Sequence, residues 1–398
     1  MKKIYYGRAV YDHKEINAVV KVLKNNSLSL TDGKNVKKLE KIVSKMFGKK
    51  YGLMVNSGSS ANLLGLASFD FKKGSEIITP NLTFSTTVAP IYQLGLIPHF
   101  VGVEKNKFVA DFNHIERCIN KKTVAIMIPN LLGNIANWEK ISQIAKKYKL
   151  KVIEDSADTI GYTFNKKDTG IYSDIVTNSF YASHIINGGG TGGIVCFNDD
   201  KLYKKAKLLR GWGRSSATFN ESESIDKRFN VKISGIDYDA KYVFSEMGYN
   251  FLPSEISAVF ALEQLKKLKD NIKIRNRNFS KLISFFKNHN DLFNLPEMYS
   301  GVKTPWLAFP LVIKKNKLFN RKELQIHFEK NNIQTRTIFT GNILKQPVMK
   351  NRVYKYFKDC NIVADDVMKN GILLGCHHGM SISDVNTICK IFLKFLNK

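Results

Sequence analysis

Tyr51-Gly52-Leu53-Met54-Val55-Asn56-Ser57-Gly58-Ser59-Ser60-Ala61-Asn62 is where the chain declares its architecture. A short apolar run ends at Val55, small hydroxylated residues follow, and a helical pattern opens at once. Further short, apolar, β-rich runs lie at Glu76 to Thr79, Ile97 to Val103, Thr123 to Ile128, Leu150 to Glu154, Asp174 to Phe180 and Gly193 to Phe197, several with helical segments between them. Strands alternating with helices indicate an α/β fold, with helices packed on a mostly parallel sheet.

Upstream, His13 to Lys24 and Val36 to Phe47 read as amphipathic helices separated by the turn-rich Asn26 to Gly33. Downstream of Pro253, a long helical pattern runs from Ser254 to about His289, with Ile256, Val259, Phe260 and Leu262 as an apolar stripe. It divides the chain into a large α/β domain at 1–252, which includes the N-terminal helices, and a linking helix plus smaller C-terminal α/β domain at 253–398. In the latter we expect strands at Trp306 to Ile313, Gln334 to Phe339 and Ile372 to Gly375, a helix at Arg321 to Asn331, and a final helix. Ser381 and Asp384 have capping-box spacing before that last helix.

Composition narrows the function classes. The 398 residues can bury more than one ordinary core, and no segment has the roughly 18 continuous apolar residues of a membrane helix. Met1 to Tyr6 does not resemble a secretory signal. Cys118, Cys196, Cys360, Cys376 and Cys389 are scattered and contain no CxxC pair, which points to free thiols in a reducing, cytoplasmic setting and to no metal site. The formal charge of +28 is spread along the whole chain, and without a recognition motif it does not indicate nucleic-acid binding.

Three segments carry chemistry. Asn56 to Asn62 opens a helix with small and hydroxylated residues, so its free backbone N–H groups suit a phosphate, although a serine-rich helix cap reads the same way. In Val152-Ile153-Glu154-Asp155-Ser156-Ala157-Asp158, an apolar strand ends in acids, where α/β sheets place their ligands or where an acidic loop meets solvent. Asn178-Ser179-Phe180-Tyr181-Ala182-Ser183-His184 leads into Ile185-Ile186-Asn187-Gly188-Gly189-Gly190-Thr191-Gly192-Gly193, and such glycine density demands tight turns or close backbone approach.

In this order and spacing, the segments resemble the fold-type-I sugar aminotransferases of the DegT/DnrJ/EryC1/StrS family, from about Tyr5 to the C-terminus. The resemblance implies a PLP or PMP cofactor whose phosphate meets Ser59, Ser60 and Ser179. It further implies that Phe84 stacks on the cofactor ring, Asp155 pairs with the pyridine nitrogen and Asp158 makes another polar cofactor contact. Asn250 matches an asparagine that reaches the neighbouring subunit's phosphate, which implies a homodimer.

The departure lies at the family's cofactor-binding lysine, which the register places at His184. Imidazole cannot hold the cofactor covalently as a lysine amine does, but it takes and returns protons near neutral pH. This replacement, with Arg210-Gly211-Trp212-Gly213-Arg214 and Thr340-Gly341-Asn342-Ile343-Leu344-Lys345-Gln346-Pro347, resembles the PMP-dependent nucleotide-sugar 3-dehydratases. Their relatives with an iron–sulfur cluster carry cysteines where this chain has Ala157 and Ser215 to Asp226, so no cluster is expected.

The remaining resemblance is to the GDP-4-keto-6-deoxymannose 3-dehydratase type, which regenerates PMP with glutamate. It implies removal of the C3 hydroxyl of a nucleotide-diphosphate 4-keto-6-deoxyhexose, in surface-polysaccharide (lipopolysaccharide) synthesis, with Arg210 and Arg336 near the substrate. Thr191 replaces an acidic residue of that type, and the loop from His184 to Gly192 is longer. A sugar aminotransferase working without its lysine and a noncatalytic ligand-binding relative stay open as alternatives, and His377 and His378 carry no assigned role.

Overall fold

The computed structural model describes residues 2–25, 30–219 and 224–397. Met1, the first four residues of the Asn26 to Gly33 turn, and residues 220–223 of Ser215 to Asp226 lie outside them. The N-terminal helices are α1 (His13–Lys24) and α2 (Lys34–Met46). The alternating region forms β1 (Tyr51–Val55), α3 (Gly58–Ala67), β2 (Glu76–Pro80), α4 (Ser85–Gln93), β3 (Ile97–Val101), α5 (Phe112–Cys118), β4 (Thr123–Pro129), α6 (Trp138–Tyr148) and β5 (Lys151–Asp155). It continues through β6 (Thr163–Phe164), β7 (Ile175–Ser179), β8 (Gly193–Phe197), α7 (Asp200–Arg210), α8 (Ile225–Phe229), β9 (Val231–Ile233) and β10 (Ile236–Tyr238).

The large sheet runs β1-β8-β7-β5-β4-β2-β3, with β8 antiparallel to both its neighbours and the other pairs parallel. Its strands read as unbroken apolar runs because both faces are covered, and parity sorts the residues. Ile77, Ala125, Met127 and Ile153 pack to one side with Leu64 of α3. Ile78, Ile126, Ile128 and Val152 pack to the other with Val36 and Val43 of α2 and Trp138 of α6.

The C-terminal part contains α9 (Glu255–Phe286), β11 (Phe293–Asn294), β12 (Val302–Lys303), β13 (Phe309–Ile313), α10 (Arg321–Lys330), β14 (Lys355–Tyr356), α11 (Asn361–Asn370), β15 (Gly371–Leu374) and α12 (Ile382–Leu396). Ser254 caps α9 by accepting from the Ile256 N–H, and α1 and α2 pack along the helix. β11, β13 and β15 form a small antiparallel sheet. The Ser381–Asp384 capping box heads α12 as its spacing predicts.

Two features differ from the sequence reading. Gln334 to Phe339 is not a strand: only Arg336 pairs, with Leu373, and Phe339 turns left-handed at φ 44°. The segment bends because its residues wall a cavity rather than extend a sheet. β14, two residues long, adds in parallel to β3 and so gives the large sheet a strand from beyond α9.

Candidate active site

A cavity of about 840 Å³ opens at the carboxyl ends of β4, β5 and β7, where helices α3 and α4 begin. At one end, the Ser57 hydroxyl accepts from the Ser60 N–H at 3.1 Å and caps α3. The first turn of α3 then offers its remaining N–H groups and the positive end of the helix dipole. A Cβ on Gly58 would lie 2.5 Å from Ser179 Cβ, so only glycine lets the helix start sit against β7. Ser59 and Ser179 both line the cavity there, whereas Ser60 is turned into the cap, its hydroxyl bonded to that of Ser57 at 3.0 Å.

Asp155, at the end of β5, is buried and held by three donors. Its Oδ2 accepts from Asn62 Nδ2 and Thr87 Oγ1, each at 2.8 Å, and its Oδ1 from the Ala157 N–H at 3.1 Å. Burial pushes its pKa up, and the donors oppose that. Phe84, half exposed before α4, presents its ring to the cavity in a T-shaped contact with Phe339 at 5.9 Å.

His184 lies on the β7–β8 loop. Its Nδ1 is 3.3 Å from the Ser179 carbonyl, so the proton belongs on Nδ1 and the Nε2 lone pair is free. Nε2 stands 4.0 Å from Asp158 Oδ1, whose partner oxygen accepts from the Leu132 N–H at 2.8 Å. Burial first, and the Arg275 charge in addition, push the His184 pKa down to about 4. Burial, with the Asp155 charge, pushes Asp158 up to about 7. Both groups are therefore biased towards their neutral forms.

Of the other residues singled out in the sequence, Arg336 lines the cavity, exposed, with Nη1 donating to the Thr335 carbonyl. Thr191 is also in the wall, its hydroxyl donating to the Asn56 carbonyl. Arg210 must be corrected. It is 2% exposed and lies away from the cavity, paired with Asp32 at 2.7 Å and Glu40 at 3.3 Å while donating to the Met54 carbonyl. Asn250 is exposed and pairs with Gly211 outside the wall of its own chain.

Asn62, Thr87 and Tyr6 were not foreseen. Asn62 at least lay in the Asn56 to Asn62 segment, about one helical turn beyond the serines expected to meet a phosphate, whereas Thr87 and Tyr6 had no motif to mark them. Among the described residues no cluster of His, Cys, Asp or Glu could hold a metal ion, and no helix is long and apolar enough to cross a membrane.

A helix N-terminus beside two hydroxyls, an exposed aromatic face and a carboxylate held by three donors fit a phosphorylated, protonated pyridine. The chain matches the sequence pattern of the DegT/DnrJ/EryC1/StrS aminotransferase family over residues 10–393 and belongs to that family. It is 33% identical to the GDP-4-keto-6-deoxy-D-mannose 3-dehydratase of Yersinia pseudotuberculosis, over 93% of this chain and 93% of that one. It is 32% identical to the dTDP-4-dehydro-2,6-dideoxy-D-glucose 3-dehydratase of Saccharopolyspora spinosa, over 93% and 82% respectively. The E. coli GDP-4-keto-6-deoxy-D-mannose-3-dehydratase structure with bound hydrated PLP superposes with a TM-score of 0.86 at 30% identity, covering 98% of this chain and 100% of that one.

Proposed function

We propose that this protein is a PMP-dependent 3-dehydratase of a nucleotide-linked 4-keto-6-deoxyhexose, with glutamate as amino donor. The observation that carries the reading is His184, a neutral imidazole with a free Nε2 in a cavity otherwise built for a pyridoxal-type cofactor. Bound there, PMP supplies an amine for the 4-keto carbon and a protonated ring that accepts an electron pair.

Ser59 and Ser179 hold the phosphate, Phe84 stacks on the ring, and Asp155 keeps the ring nitrogen protonated. His184 Nε2 takes up and returns the proton whose removal lets the C3 hydroxyl leave as water. Asp158, which also lines the cavity, makes a further polar contact to the cofactor. Arg336 meets the carboxylate of the amino donor, and the free cysteines support a cytoplasmic setting.

Related dehydratases of nearly equal identity are named for GDP and for dTDP sugars, so the test is a panel. Pure protein is incubated with PMP, glutamate and nucleotide 4-keto-6-deoxyhexoses and read by mass spectrometry. The expected product is the 3-deoxy-4-keto sugar with one ammonia released per turnover and no requirement for iron, NADH or a reductase. An amino sugar would favour an aminotransferase, and absence of turnover across the panel a noncatalytic relative.

The homodimer has its own test. Asn250 is exposed and outside its own cavity, which suits a residue that completes the neighbouring subunit's phosphate site. Asn250→Ala is expected to weaken PMP binding by about tenfold, one charge-assisted hydrogen bond, without dissociating the dimer. Unchanged affinity in a dimer verified by sedimentation would refute the assignment.

A further inference from the structure

Arg275 projects from α9 into the protein interior and is 1% exposed. A buried guanidinium ordinarily has a carboxylate beside it. Here none of the described carboxylates pairs with it. Its Nε donates to His378 Nδ1 at 3.2 Å, its Nη1 to the Trp306 and Leu307 carbonyls, each at 3.2 Å, and its Nη2 reaches the His184 carbonyl at 3.5 Å.

One side chain thus ties the domain-linking helix to the chain before β13, to the loop after β15 and to the loop bearing His184. The bond to His378 fixes that ring's state. An Nδ1 that accepts from a guanidinium carries no proton, so His378 is neutral with its proton on Nε2. His377, its Nε2 against the Tyr5 carbonyl and its Nδ1 accepting from the Gly379 N–H, pins the same loop.

We propose that Arg275, seated by neutral His378, is the positioning residue of the catalytic base, holding the His184 main chain in place while its unpaired charge keeps the imidazole free to accept a proton. The contact at 3.5 Å is a long hydrogen bond that locates the main chain, and the effect on the imidazole itself is carried by the charge.

The other groups facing His184 do not cancel that charge. Asp158, from the loop after β5, is biased towards its neutral acid by burial. Tyr181, on the same loop as His184, meets its ring edge-on at 5.8 Å. Asp155 is committed to its three donors; Tyr6 and Cys376 face Arg275, but burial pushes both of their pKa values up and keeps them neutral; and Arg336, also lining the cavity, adds positive charge.

This inference rests on His184 being the base, but its test does not use turnover. In the cofactor-free protein labelled with ¹³C-histidine, the His184 signal is the one lost in His184→Asn. Its titration midpoint in the wild-type chain is expected below pH 5. Arg275→Met and Arg275→Gln, which remove the charge, should raise the midpoint by about one pH unit, and Arg275→Lys, which keeps it, should leave it near the wild-type value. A wild-type midpoint near 6.5, an unmoved midpoint in whichever neutral variant folds, or an equal shift in Arg275→Lys would each overturn the proposal. If the midpoints move as expected while no nucleotide sugar is dehydrated, the functional reading fails and only the electrostatic coupling of Arg275 to His184 stands.

Discussion

His184→Asn is expected to lower the rate of dehydration by about 10²- to 10⁴-fold, the range that one positioned acid–base group contributes, while PMP remains bound. The asparagine keeps a polar side chain of similar reach near the Ser179 carbonyl but has no lone pair that titrates. The groups assigned to the cofactor, Ser59, Ser179 and Asp155, sit at strand and helix ends and do not depend on the imidazole. Single-turnover product formation and an absorbance titration with PMP separate the two effects. A rate within tenfold of wild type would remove His184 from the mechanism. Because the active form is the neutral imidazole and its pKa is pushed down to about 4, the wild-type rate should lose this base only as pH falls through that region.

Arg210→Met is expected to destabilise the fold by about 3–5 kcal/mol, the cost of leaving the buried Glu40 carboxylate without its cation. Arg210 bridges Asp32 and Glu40, and Glu40 also accepts from the Met54 N–H at 2.8 Å. Burial raises the Glu40 pKa and the Arg210 charge opposes that, so removing the arginine raises it further. Protonation then relieves the unpaired charge, and the gap between wild type and variant should narrow as pH falls, measured by urea unfolding. If the variant were as stable as wild type but bound nucleotide sugar poorly, the substrate role expected from the sequence would be right and the structural one wrong.

Most of the large sheet was legible because its strands are buried on both faces and so appear as continuous apolar runs bounded by turns. The positions Ser59, Phe84, Asp155, Asp158, Ser179, His184 and Arg336 were named from the family resemblance that the order of motifs suggested, and the fold brings them to one cavity. Arg210 misled because its environment is made by Asp32 and Glu40, 178 and 170 residues away, which no local pattern reports. Gln334 to Phe339 looked like a strand because Thr335, Thr337, Ile338 and Phe339 are β-branched or aromatic, but Arg336, Thr337 and Phe339 line a cavity instead of extending a ladder. Arg275 lies in a run of lysines and asparagines that reads as a solvated helix face, and only the packing of α9 against three loops buries it.

The loop that carries His184 begins and ends on neighbouring strands. Ser179 lies opposite Gly193, and the Phe180 N–H bonds the Gly192 carbonyl at 2.9 Å, so the excursion is pinched shut at its base. Gaining or losing two residues inside such a closed excursion changes its closure free energy by only about 0.1 kcal/mol. Strand register and the helix start at Gly58 would not register the change. Evolution can therefore treat this turn as a replaceable cartridge, altering its length and exchanging its reactive side chain while the scaffold beneath is inherited intact.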